Sequence, residues 1–498
     1  MLLLFSACAP SRIAVRYPAP STPKEQAQAR ALAGTYLLLT PPGRIPNTIL
    51  GKHLKKAISK INFVGNRLFD LDAAALAKAM ASAVESRGGK IIAYRVADET
   101  YAPFLKALQP TGLMYISLNA LTVTQTYEKR VTTIKDVKTK KTTKRTTHHW
   151  KHNAVLSGNL RFFSHPDGAT LGETSFHITE SGEVQAKNAG EAKQKWLKKA
   201  RPKMLKHAAK SSLQGLGKPA VVSRFRTLFI DKKDSDSKSA AKLARTGKWE
   251  AASGLWAGRL SADRGNWRDL MNLGLASERV GLYSEAQRIY TDAQTSAGPD
   301  PEAAKIPWTQ IQADLATVSK LGIGRAEAAR NWFSGTVAVL PFSDETTSVA
   351  GPEMLREMVW KMLSSSGYNV IPLEDSDRAL RMHGYSQGGQ LHKGKPLQFA
   401  RWTGAARLVY GDITEFRDIM LGPFGRRIVA GKLRMWNAPT KRWIWKADQP
   451  IVNESGSGKL SHQIGRAFLE RWTRKPLGPE STDFVRINLE TLPLKPKQ

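Results

Sequence analysis

Apolar positions along this chain change period several times, and each change marks an element. Thr336-Val337-Ala338-Val339-Leu340-Pro341-Phe342 is a continuous apolar run stopped near its end by proline, the pattern of a buried strand. Met354, Leu355, Met358, Val359, Met362 and Leu363 then recur at helical spacing and predict a helix over 351–366, closed by Gly367. Residues 368–371, 408–410, 413–417, 427–436 and 443–445 read as strands, and 458–472 as a last helix. On a regular strand Trp443 and Trp445 share a face beside Lys441, Arg442 and Lys446. Rings and cations so placed could stack on sugars or bases, although a core aromatic strand is the simpler reading.

The same order of periods occurs earlier. Ala75, Leu76, Ala79, Met80, Ala83 and Val84 form a helical stripe over 71–84, closed by Gly88-Gly89 and followed by a strand at 90–96. Leu113-Met114-Tyr115 matches Leu408-Val409-Tyr410. Gly158-Asn159-Leu160-Arg161-Phe162-Phe163, then Pro166, matches Gly431-Lys432-Leu433-Arg434-Met435-Trp436, then Pro439. Glu180-Ser181-Gly182 matches Glu454-Ser455-Gly456. Two domains of one α/β class are therefore expected. They differ by residues 122–154, where Thr and Val alternate with Lys, Arg and Gln around a turn near 138–141. That segment predicts a long protruding β-hairpin with both faces polar.

Between the two halves the period lengthens to 34 residues. Gly247, Trp249, Ala252 and Trp256 recur as Gly281, Tyr283, Ala286 and Tyr290, the spacing of tetratricopeptide repeats. The second unit resembles that family best, with Leu270, Leu273 and Gly274 on a first helix and Ala286, Tyr290 and Ala293 on a second. Small residues at 274 and 286 would let the helices approach closely, while Tyr290 fills the space beneath the next pair. Trp249, Ala252, Trp256, Leu270, Gly274, Tyr283, Ala286 and Tyr290 are the expected repeat-packing or partner-binding positions. A further helix is expected over 303–318. Two units are fewer than a free-standing array needs, so the helices should lean on a neighbouring domain.

The segments AVLPF, GYNVIP, GAARLVYGDI and TKRWIW, in that order over 332–475, resemble the bacterial envelope lipoproteins that include CsgG and LpoB. The resemblance implies an α/β (α+β) multidomain protein in which two related CsgG/LpoB-like α/β domains flank a short tetratricopeptide-type helical segment. It also implies envelope proteins as partners, a cell-wall synthase or a secretion assembly. In CsgG-like proteins, hairpins at comparable places build a membrane pore. Here outward positions include Lys135, Lys144, Arg145 and Lys151, which suit a basic contact arm better than a lipid-facing strand.

Length and charge sharpen this picture. The 498 residues, 41% hydrophobic, suffice for two to four domain cores, and no apolar run approaches the ~18 residues of a membrane span. The formal charge of +34 is concentrated: nine Lys/Arg against Asp136 alone in 129–151, and thirteen against Asp231 alone in 193–233. Lys129, Arg130, Lys138, Lys140, Lys141, Lys144, Arg145 and Lys151 are the candidate polyanion contacts. Anionic lipid headgroups, anionic polymers and nucleic acid all fit such a field, and so does a solvated face with no ligand. Nucleic acid is the less favoured partner, and a nucleic-acid- or polyanion-binding protein is the alternative reading of function.

The single cysteine, Cys8, ends the run Leu2-Leu3-Leu4-Phe5-Ser6-Ala7, which resembles a lipoprotein lipobox. Few residues and no Lys or Arg precede it, and Phe5 stands where Leu is usual. The resemblance implies lipidation at Cys8 and an outer-membrane lipoprotein facing the periplasm. The expected organisation is a signal-peptide remnant (1–7), a lipidated cysteine with Pro-rich tether (8–34), an N-terminal α/β domain (35–233), helical repeats (235–330), a C-terminal α/β domain (331–478) and a tail (479–498). Other chemical signals are weak. Gly384-Tyr385-Ser386-Gln387-Gly388 has nucleophile-elbow spacing without the flanking strand and helix, and Gly389 to Lys395 has phosphate-loop spacing but ends in Pro396. His148, His149 and His152 lie among cations that would repel a metal ion. No catalytic residue, metal or cofactor is therefore expected.

Overall fold

The computed structural model describes residues 11–18, 22–40, 73–96, 102–135, 142–214, 216, 221–231, 233–320, 326–346, 351–421, 424–455 and 477–496. The chain is mixed α/β and divides into two compact units. One comprises Met1–Thr100, Gln109–Glu327 and Pro496–Gln498, and the other Tyr101–Leu108 and Ala328–Lys495.

The first unit begins with a strand and a helix where a tether was expected. In β1 (Ser11–Pro18), Val15 and Tyr17 point into the core at every second residue. In α1 (Pro23–Ala33), Thr22 and Glu25 form a reciprocal capping box, with Pro23 at the first turn where its missing N–H costs nothing. The prolines that suggested a spacer thus mark element ends. The main sheet contains β2 (Thr35–Thr40), β3 (Ile91–Val96), β4 (Gly112–Lys135), β5 (Thr142–Ser164) and β6 (Thr170–Gln185) in the order β3-β2-β4-β5-β6. Parallel β2 is buried from Tyr36 to Leu39, as expected of a strand covered on both faces. Helices α1, α2 (Ala73–Glu85) and α4 (Ala189–Ser212) pack around it, while α3 (Ala102–Leu108) groups with the second unit.

The expected N-terminal domain also loses its last strand. β7 (Val221–Leu228) pairs antiparallel with β1, from Ser11 opposite Leu228 to Pro18 opposite Val221. This ribbon shares a core with the helices that follow: α5 (Ser235–Arg245), α6 (Trp249–Ala262), α7 (Trp267–Arg279), α8 (Tyr283–Ala297) and α9 (Trp308–Lys320). Leu228 and Phe229 join Trp256, Met271, Leu275 and Tyr290 in that core. The neighbour on which the short helical array leans is therefore the chain's own β-ribbon.

The second unit takes in α10 (Ala326–Ser334) from Ala328 onward, so this part of it starts a few residues before the expected boundary. β8 (Thr336–Val339), α11 (Gly351–Ser365) and β10 (Asn369–Val370) match the periods read from the sequence, and a short β9 (Ser343–Asp344) follows β8. α12 (Leu373–Arg381), α13 (Gly388–Leu391) and α14 (Pro396–Thr403) lead into β11 (Arg407–Leu421) and β12 (Phe424–Asn437). β13 (Arg442–Ala447), β14 (Ile451–Ser455) and α15 (Gly478–Leu489) complete the unit. The segment expected as a tail is core: Phe484, Val485, Leu489, Leu492 and Leu494 are buried. The helix expected at 458–472 lies outside the described residues.

The sheet order β10-β8-β11-β12-β13 repeats β3-β2-β4-β5-β6 in strand directions as well as sequence. Even an irregularity repeats. The register shifts between Leu118 and Ala120 in β4 and between Ile413 and Glu415 in β11, each just past the matched apolar triplet. The residues opposite the shifts, Gly158 and Gly431, are the ones that aligned by sequence. The two sheets therefore share a bulge as well as a strand plan.

Candidate interaction surfaces

The expected hairpin exists and is longer than 122–154. β4 and β5 stay paired from Gly112–Ser164 to Lys135–Thr142, with β6 alongside as far as Gln185. Its faces differ. One carries Glu128 opposite His149, Arg130 opposite Thr147, and Lys151 between Thr126 and Glu183. There Arg130 binds Glu128 (2.7 Å) and Glu183 (3.1 Å), Lys151 binds Glu128 (3.0 Å), and His149 Nδ1 meets Glu183 at 2.5 Å. The hydrogen bonds from Arg130 and Lys151 draw the Glu128 carboxyl down to about 2. Two of the expected polyanion contacts are therefore already paired with carboxylates on their own sheet.

The other face is not polar throughout, contrary to the reading of the alternation. Tyr127 lies opposite Trp150, Lys129 opposite His148 and Val131 opposite Thr146. Tyr127 and Val131 are 49% and 54% exposed. Tyr127 packs 4.7 Å from the Trp150 ring, and its hydroxyl lies 2.8 Å from His148 Nδ1. Nearer the body of the sheet this face is covered by α4. There His152 is buried and stacked on Trp196 at 5.1 Å, and Gly182 gives the indole room, since a β-carbon would come within 2.6 Å of its Nε1. Burial pushes the His152 imidazole below its ordinary range. The histidines do not converge: His149 faces the carboxylates, while His148 and His152 face the rings. Among the described residues no group of His, Cys, Asp and Glu could hold a metal ion.

Lys129 is exposed. Lys144 and Arg145 lie on β5 by backbone position. Lys138, Lys140 and Lys141, and likewise Cys8, lie outside the described residues. A hairpin turning near 138–141 already pairs Tyr127 with Trp150. The aromatic face was thus available to cross-strand counting, which period-two alternation alone does not perform.

In the helical segment the expected packing residues point inward. Trp249, Ala252, Trp256, Gly274, Tyr283, Ala286 and Tyr290 are buried, and Leu270 is half-buried. Sequence reasoning missed the polar network beside them. Arg226 of β7 donates to Glu278 of α7 (3.1 and 3.2 Å), to Asp314 of α9 (3.0 Å) and to the Tyr17 hydroxyl (2.8 Å). The Tyr290 hydroxyl donates to Glu278 at 2.6 Å. Asn272 accepts from Phe229 N–H and donates to Phe229 C=O, so α7 grips the β7 end by its backbone. The side of α7 that faces this ribbon is occupied from within the chain.

The second unit corrects another expectation. The register shifts between Met435 and Trp436, so Ile444 is an extra residue and Trp443 and Trp445 face opposite ways. Trp445 is buried and donates to Thr491, whereas Trp443 is part-exposed, edge-on to Tyr410 and under the Arg434 guanidinium at 4.8 Å. Arg434 also donates to Asp412 at 2.7 Å, which accepts from Ser343 at 2.6 Å. Buried Arg356 joins Val339 C=O to the Asp377 carboxylate, a clamp within the unit. Buried Arg407 donates to Trp332 C=O at the end of α10 and lies 4.2 Å over its ring, compensated by a helix C-terminus. Ser386 is exposed, its N–H donating to Gln390, and among the described residues no histidine or carboxylate hydrogen-bonds to its hydroxyl. Lys395 precedes α14 with Pro396 in its first turn, and no strand leads into that loop.

No protein-family model matches the chain, and no curated protein matches it. Among solved structures it is similar to lipoprotein GNA1162 from Neisseria meningitidis (19% identity, 28% of this chain and 99% of that one, TM-score 0.23). It is also similar to a PelC dodecamer from Paraburkholderia phytofirmans (13%, 32% and 90%, TM-score 0.21) and to the LpoB C-terminal domain from Salmonella enterica (15%, 24% and 82%, TM-score 0.19).

Proposed function

We propose that this chain is a lipid-anchored, non-catalytic scaffold of the cell envelope that faces the periplasm from the outer membrane and gathers envelope proteins, a cell-wall synthase or a secretion assembly among them. The observation that carries this reading is the duplicated sheet plan on either side of tetratricopeptide-like helical pairs. Such an architecture supplies surfaces rather than a cleft of convergent reactive groups. The lipobox-like run before Cys8 supplies the anchor. The arm, rather than the self-occupied side of α7, offers the exposed contact surface.

Metabolic labelling with a fatty-acid analogue tests the anchor, with the chain expressed behind a complete signal sequence. Label is expected on the wild type and absent from Cys8→Ala. An unlabelled wild type would reject the anchor.

Nine cations against one acid in 129–151 favour a second reading, polyanion binding by the arm. Affinity for single-stranded DNA should then fall steeply with salt, and replacing Lys138, Lys140, Lys141, Lys144 and Arg145 should flatten the slope. Binding indifferent to salt would reject it.

A further inference from the structure

The outer part of the arm sorts its side chains by chemistry. The carboxylates Glu128 and Glu183 stand on one face, where they neutralise Arg130 and Lys151. The opposite face receives Gln125, Tyr127, Lys129 and Val131 from β4, with Trp150 and His148 across from them on β5. No acidic side chain is paired with Lys129 among the described residues, and its alternation puts it on the ring face, away from Glu128. The two main rings are held in place before any ligand arrives. Trp150 Nε1 donates to Ala186 C=O at 3.1 Å, and Tyr127 is fixed by its hydroxyl at His148 Nδ1. Holding exposed rings in one geometry lowers the entropy lost on binding.

We propose that this ring face binds an acidic oligosaccharide, with sugar rings laid on Tyr127 and Trp150 and a carboxylate of the sugar paired with Lys129. A pyranose ring presents C–H groups that pack on an aromatic face and hydroxyls that can bond His148 at the edge. Charge complementarity selects the acidic class, because the face holds a permanent cation and its carboxylates have been placed on the reverse side. By register Lys135 and Lys144 fall on the same face further out, so cations recur along the arm as carboxylates recur along a polyuronate. Tyr127 and Trp150 pack on each other at 4.7 Å, which leaves no slot between them for a base, and oligothymidylate is the probe that tests this choice. The site goes beyond the scaffold reading and stands whether or not Cys8 is acylated.

The test uses the full chain with three probes: a short oligogalacturonate, a cello-oligosaccharide of the same length, and oligothymidylate. The galacturonate is expected to bind with a change in tryptophan fluorescence, more tightly than either of the others. Tyr127→Ala and Lys129→Gln should each weaken that binding about tenfold. Tyr127→Phe keeps the ring but releases it from His148, so it should bind more weakly than the wild type and more tightly than Tyr127→Ala, whereas Arg130→Gln on the reverse face should bind like the wild type. Thermal unfolding of Tyr127→Ala at the wild-type temperature separates loss of the site from loss of fold. Undetectable galacturonate binding would overturn the proposal, as would equal affinity for the neutral glucan, tighter binding of oligothymidylate, or a Tyr127→Ala variant within twofold of the wild type.

Discussion

Gly274 lies against the ring of Tyr290 so closely that a β-carbon there would stand 2.8 Å from both Cδ1 and Cε1. The ring has little freedom to retreat, because its hydroxyl donates to the buried Glu278 carboxylate. Alanine would bring ~1 kcal/mol of helix propensity and incur ~1–3 kcal/mol of overpacking. Gly274→Ala is therefore expected to lower the denaturant midpoint of the helical segment. A raised midpoint would show that Tyr290 can move.

Arg226 bridges two buried carboxylates, Glu278 and Asp314, and Arg224 adds a second cation on Asp314. Burial pushes the Glu278 carboxyl up to about 8; the Tyr290 hydrogen bond works against this and the Asp314 charge adds to it. A carboxyl raised on folding stabilises most below its ordinary range and loses that contribution as pH rises through about 8. Arg226→Met should cost ~3–5 kcal/mol when Glu278 is ionised, because a buried charge is left without its partner. The gap in melting temperature between variant and wild type is expected to be wider at about pH 8.5 than at about pH 5. A gap that does not change with pH would mean that Glu278 does not titrate there.

The helices at 71–84 and 351–366 and the strands at 90–96, 336–342, 408–417 and 427–436 were legible because they are periodic and because glycine or proline marks many of their ends. The glycines matched at 158 and 431 lie opposite a shared bulge that the sequence reading did not foresee. What escaped notice depended on pairing at long range. β1 looks like a linker until Val15 and Tyr17 find the core, and β7 looks like the end of a sheet until β1 joins it. Arg226 and Glu278 read as surface charges, since nothing local says that 52 residues later a helix returns to bury them. The extra residue Ile444 reverses Trp443 against Trp445, and single-strand alternation carries no register. For the arm, composition gave the charge correctly, but only the cross-strand pairs divide it into a neutralised face and an aromatic one.

His152 makes the join between the arm and α4 sensitive to acid. Burial holds its imidazole below the ordinary value, and Lys193 adds to the effect. The proton then prefers the unfolded chain, so stability is lost as pH falls through the imidazole range near ~6.5. Hydrogen exchange over α4, corrected for its intrinsic pH dependence, is expected to quicken as the pH is lowered from about 7.5 to about 5.5. His152→Phe keeps a ring on Trp196 and should remove the change. Equal quickening in the variant would place the sensitive group elsewhere.

The duplicated bulge makes a prediction about two positions far apart in sequence. A β-carbon on Gly158 would stand 2.5 Å from the carbonyl oxygen of Ser117, and one on Gly431 would stand 2.6 Å from that of Asp412. Ser117 and Asp412 precede the equivalent register shifts. Backbone is the obstacle at both sites, so no rotamer relieves it; either the bulge opens or the strands separate. Gly158 has a further obstacle in the Phe176 ring, whose Cζ would be 2.5 Å away. Each substitution to alanine should destabilise its own unit by ~1–3 kcal/mol, with the larger loss at Gly158. Hydrogen exchange can assign each loss to its sheet: β4 and β5 for Gly158→Ala, β11 and β12 for Gly431→Ala. If either variant left its sheet as protected as in the wild type, the glycine would not be what the bulge requires, and the repeated plan would lose its most specific shared detail.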